Sequence, residues 1–112
     1  MGKIKPATIF RPNKMRVYLS GRISGKPEWE YKWDFLKARH AVRRKYPLCS
    51  IDFVNPAKLP AIHQCWEDYI IRDLMLLKEC TAIAMLHDWK ESAGARVEYE
   101  FAKGLNLKII YL

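Results

Sequence analysis

Two acids stand out because they sit where a helix should be apolar. Over Ser92–Lys103 and the residues just beyond, Val97, Phe101, Ala102 and Leu105 recur at helical spacing and define an apolar stripe. On the helical wheel Glu98 falls inside that stripe, between Phe101 and Ala102, whereas Glu100 falls on the far side with Arg96 and Lys103. The stretch from about Gln64 to Glu79 repeats the pattern: Trp66, Ile70, Leu74 and Leu77 make the stripe, and Asp73 sits within it. Burying a carboxylate is costly unless it is paired or hydrogen-bonded. An acid held on such a stripe near a ligand site is a candidate for acid, base or nucleophilic chemistry. Taken singly, each could be structural, capping a backbone group or pairing with an arginine. Taken together, on consecutive helices flanking one strand, they could meet over a common cleft.

Two loops supply complementary groups. Ser20–Gly25 (SGRISG) follows the first apolar run. Gly21 and Gly25 allow close backbone approach to a ligand, and the amides with Arg22 and Ser24 could hold a phosphate. The loop is neither a Walker A sequence nor GxGxxG. ESAGA (Glu91–Ala95) opens the last helix, with Ser92 as N-cap and the amides of Gly94 and Ala95 directed at any anion. Asn55, before Pro56, could bond a base edge or simply make a turn. Asp88 and Trp89 follow the third apolar run, and Trp89 could stack on a base or anchor its loop.

The elements that must position these residues alternate. Strands are expected over Met15–Ser20, Ser50–Val54, Thr81–Leu86 and Leu107–Leu112, and helices over Glu28 to about Lys45, Gln64 to Glu79 and Ser92–Lys103. In the first helix Trp29, Trp33, Leu36 and His40 recur as the expected core stripe. This alternation predicts an α/β, flavodoxin-like or Rossmann-like three-layer sandwich with a four- to five-stranded parallel sheet. Its ligand site is expected at the carboxyl ends of the strands. Residues 1–14 read as a basic arm and 15–112 as the folded domain.

Length and charge bound the rest. The chain has 112 residues and a net charge of +8, enough for one domain. Residues 1–45 carry 13 Lys/Arg against 3 acids, and residues 46–112 carry 7 against 9. That asymmetry points to an anionic partner or to a solvated basic face. Cys49, Cys65 and Cys80 are odd in number with no close pair, which fits reduced thiols in a cytoplasmic protein. No run is long and apolar enough to span a membrane, and no secretory signal is expected. His40, His63 and His87 form no repeated ligand unit with the cysteines, so no metal is expected.

Three segments, VYLSGRISG, IIRDLMLLKEC and ESAGARVEYEFAKGLNLKII, together resemble the nucleoside 2-deoxyribosyltransferase superfamily over about residues 15–112. They look closest to its small, poorly characterised, DUF4406-like bacterial and phage branch, and next to the 2'-deoxynucleoside 5'-phosphate N-hydrolases. The resemblance implies an enzyme that cleaves or transfers at the N-glycosidic bond of a nucleoside or nucleoside 5'-monophosphate. Glu98 would be the nucleophile, Tyr18 would orient it, and Asp73 would assist departure of the base. Gly21, Arg22, Ser24, Gly25 and Ser92 would hold a 5'-phosphate. No cofactor is implied, and a homodimer is. The sequence departs from the family at Thr81, where many members have aspartate, and at Arg22, where relatives often have Pro or Ser. Characterised members also continue past the position of Leu112, which keeps hydrolysis open beside transfer. Two other readings stand: a nucleotide-binding protein without chemistry, and a nucleic-acid binder. The latter would use Lys3, Lys5, Arg11 and Lys14 with Arg39, Arg43, Arg44 and Lys45, though no helix-turn-helix, RNP or finger pattern accompanies them.

Overall fold

The structure, a computed structural model, describes residues 13–59 and 65–112. The expected arm up to position 12, His63 and the expected helix start at Gln64 lie outside the described residues. Lys14, expected to end the arm, opens the first strand instead.

The elements are β1 (Lys14–Ser20), α1 (Glu28–Lys45), β2 (Ser50–Val54), α2 (Trp66–Leu77), β3 (Ala82–Met85), α3 (Ala93–Gly104) and β4 (Lys108–Tyr111). Single 3-10 turns lie at Pro56–Lys58 and Trp89–Glu91. The described sheet has four strands, all parallel, in the order β2-β1-β3-β4. Parallel neighbours need crossovers, and each helix supplies one. β1 is central: it pairs with β2 from Lys14↔Ser50 to Tyr18↔Val54 and with β3 from Val17↔Ala82 to Ser20↔Met85.

The period of two along the strands divides the core between the faces. Val17 and Leu19 pack with Phe35, Ala38 and Val42 of α1. Tyr18, Ile83 and Met85 pack on the other side with Leu77 of α2 and Ala102 of α3. Strand order reverses between β1 and β3, and in such sheets the crevice at that point takes ligands. The turns follow local chemistry. Asn55 ends β2 by accepting the Ala57 N–H at 3.0 Å, and Ser92 caps α3 by accepting the Ala95 N–H at 3.1 Å. Asn106, at φ 60°, turns the chain from α3 into β4, a conformation asparagine adopts more readily than most residues.

One expected register is reversed. α1 buries Asp34, Phe35, Ala38 and Val42, while Trp29, Trp33 and His40 face outward and Leu36 is half-buried. Ala38 and Val42 let the helix lie close on the sheet, where an indole would hold it away. Trp66 is likewise exposed on α2, and Val97 on α3 and Leu105 just past its end are partly exposed.

Candidate active site

Glu98 projects from α3 to the end of β1 and is 5% exposed. Its two oxygens are held by two hydroxyls of one strand. Tyr18 Oη donates to Oε2 at 2.6 Å, and Ser20 Oγ donates to Oε1 at 2.6 Å. Residues two apart on a strand share a face, so β1 alone fixes the carboxylate's orientation. Burial pushes the Glu98 carboxyl up to about 7; the two hydrogen bonds and Arg72 oppose that shift, and the charge of Asp73 adds to it. Burial and the neighbouring acids, Glu98 before Asp73, raise the Tyr18 phenol well above its ordinary value, so it remains a donor.

Asp73 is buried on α2, next to Arg72, whose Nε donates to its Oδ1 at 3.1 Å. Burial raises the Asp73 carboxyl, and Arg72 only partly offsets it. Glu98 and Asp73 open onto the same cavity of about 700 Å³, within the size range of small-molecule sites. Gly21, Arg22, Ser24, Ser92 and Gly94 also line it. Arg22 is braced there, its Nε donating to the Ser24 carbonyl at 3.1 Å and its Nη1 lying 3.5 Å from Glu91. Gly21 is required by close packing, since a Cβ there would fall 2.8 Å from the Leu86 side chain. Tyr31, Trp66 and Tyr69 supply aromatic surface elsewhere in the lining.

The remaining sequence candidates have other tasks. Asn55 caps its turn. Gly25, at φ +82°, makes the bend that returns the loop to α1. Trp89 stacks on Tyr99, ring centroids 4.4 Å apart, and packs against the core of the α2/α3 side. Asp88 accepts the Arg22 N–H at 3.2 Å and is bonded by Lys26 Nζ, which also donates to Asp34 at 2.6 Å. Asp88 therefore ties the loop after β1 to the loop after β3. Sequence reasoning missed Ser20, Lys26, Arg72 and the aromatic lining. Ser20 carried a signal: it lies two positions from Tyr18 on β1 and so shares its face. Among the described residues no cluster of three or more His, Cys, Asp or Glu could hold a metal ion, and no helix is long and apolar enough to cross a membrane.

The model of a domain of unknown function, DUF4406, matches residues 15–111. The chain belongs to this family. No curated protein matches the sequence. The DUF4406 fold seen here is similar to that of 2-deoxyribosyltransferase from Leishmania mexicana, with a TM-score of 0.55 and 14% identity. The match covers 87% of this chain but 63% of that one, so the DUF4406 chain spans less than two thirds of that protein. At this identity the likeness is one of fold.

Proposed function

We propose that this protein cleaves or transfers at the N-glycosidic bond of a deoxynucleoside, nucleoside or nucleoside 5'-monophosphate, with Glu98 as nucleophile. The observation that carries this reading is the Glu98 carboxylate. It is buried, lines a cavity of about 700 Å³ and is fixed by two hydroxyls, with a second buried acid lining the same cavity. The ionised carboxylate attacks the anomeric carbon as the bond to the base breaks, and the electron pair leaves with the base. Asp73, whose carboxyl is raised by burial, supplies a proton to the departing nitrogen or to a ring atom conjugated with it. The resulting glycosyl ester is released when water or a second base attacks the same carbon and passes its proton to the Asp73 carboxylate, restoring both acids, as in double displacement at glycosides. The sugar lies over Glu98, the base rests against Trp66 and Tyr69, and a 5'-phosphate meets Arg22, Ser24 and Ser92.

The test is free-base release from a panel of nucleosides and 5'-monophosphates, followed by chromatography, for the wild type and Glu98→Gln. Release by the wild type alone supports the reading. Release by both proteins removes Glu98 from the chemistry. Release by neither, with thermal shifts on ligand addition, leaves a binding protein. Activity is expected to rise with pH through about 7, because the nucleophile must be ionised and burial raises its carboxyl to about that value.

A further inference from the structure

The stripe of α1 that sequence periodicity assigns to the core is a solvent-facing surface of mixed aromatic and cationic character. Trp29 is 71% exposed and Trp33 53%. Lys37, His40 and Arg44 continue the same line at helical steps and are also exposed, with Lys32 and Arg43 beside them. Lys37 Nζ lies 5.8 Å from the Trp33 ring centroid. The helix's carboxylates are all paired: Glu28 with Lys32 at 2.5 Å, Glu30 with Lys26 at 4.0 Å, and buried Asp34 with Lys26 at 2.6 Å and more loosely with Lys37 at 3.8 Å. We infer that the outward face of α1 binds single-stranded nucleic acid, with Trp29 and Trp33 stacking on bases and Lys37, Arg43 and Arg44 meeting phosphates.

The chemistry fits that partner better than the alternatives. Residues four apart on a helix are about 6 Å apart along its axis, a spacing at which two indoles can each take one base of an extended strand. Stacking needs unpaired base faces, so a duplex does not offer the same contact. A second copy fits poorly: antiparallel pairing about Leu36 would set Lys37 near its own mate, and parallel pairing would do the same for Arg43 and Arg44. A bilayer would find only Trp29, Trp33 and the half-buried Leu36 as apolar contacts, little for an interfacial helix.

The test is fluorescence anisotropy with a labelled 12-nucleotide thymidine strand at several salt concentrations. The proteins are the wild type, Trp29→Ala/Trp33→Ala and Lys37→Gln/Arg44→Gln, each checked for folding by circular dichroism. The wild type should bind with quenching of tryptophan fluorescence and with affinity that falls steeply with salt. The indole variant should lose about tenfold or more in affinity at an unchanged salt slope. The lysine–arginine variant should lower the slope by about 1.4, from about 0.7 per phosphate contact. Three results would overturn the inference. One is absence of salt-dependent binding. Another is tighter binding to anionic vesicles or duplex than to the single strand. The third is a dimer in sedimentation that dissociates in the indole variant, since a second copy would then cover the face.

Discussion

Two buried carboxylate clusters lie at the same end of the sheet, and they are balanced in opposite ways. At Glu98 the partners are neutral hydroxyls, Tyr18 and Ser20, and burial leaves the acid raised to about 7. At Asp88 burial also pushes the carboxyl up, but the Lys26 ammonium and the Arg22 N–H outweigh it and hold the group below its ordinary range. Lys26 is itself raised: burial disfavours its charge, and its bonds to Asp34 and Asp88 more than compensate. A cation makes the second cluster a staple between two loops. Hydroxyls hold Glu98 directly and the nearby Arg72 is bonded to Asp73 instead, so burial outweighs what stabilises the Glu98 charge.

Replacing each cluster's centre should break this contrast most visibly. Glu98→Gln should lower turnover by about 10⁴-fold or more, measured by base release. The same variant should gain stability at alkaline pH. A carboxyl raised in the folded state holds its proton between its unfolded value near 4.5 and about 7, so wild-type stability falls as pH rises through that window. Above it Glu98→Gln should be more stable by up to about 3 kcal/mol, and urea titrations at pH 5 and pH 8 should show the difference only at pH 8. Lys26→Met should do the reverse of a catalytic lesion. It leaves Asp34 with Lys37 at 3.8 Å and Asp88 with the Arg22 N–H at 3.2 Å in place of a buried ammonium and should cost about 3 kcal/mol of stability, read by urea denaturation at neutral pH.

Smaller changes sharpen the comparison. Ser20→Ala and Tyr18→Phe each remove a bond that favours ionised Glu98, so each should move the rising limb of the pH–activity profile upward. Each should also slow turnover about tenfold. An unchanged limb would show that the hydroxyls do not tune the acid. Asp73→Asn should slow substrates with poor leaving bases more than those with good ones, and equal slowing would argue against proton donation.

The two clusters were unequally legible in the sequence. Glu98 and Asp73 announced themselves because a helical wheel exposes an acid on an apolar stripe. Asp88 was visible only as a loop residue, since its partner Lys26 lies 62 positions away and no periodicity links such pairs. The strand–helix alternation implied a parallel sheet, though not its strand order, with β2 and the bounds of α1 as expected. The rotation of α1 was misread because tryptophan outweighs alanine and valine in apolarity, whereas closeness to the sheet favours the smaller residues. Ser20 closes β1 as expected, but nothing in the sequence pairs its hydroxyl with Glu98, 78 positions away.

The position of Tyr18 on β1 bears on how the proposed activity would be lost. Tyr18 is bracketed by partners on both sides, paired with Val54 and with Ile83, whereas among the described residues β2 and β4 each pair along one side. Amide hydrogens of β1 should exchange with solvent only when the whole domain opens, and those of the outer strands by local fraying. Mild denaturant should therefore loosen the rim long before it disturbs the hydroxyls that hold Glu98, and activity should disappear together with the last protected amides.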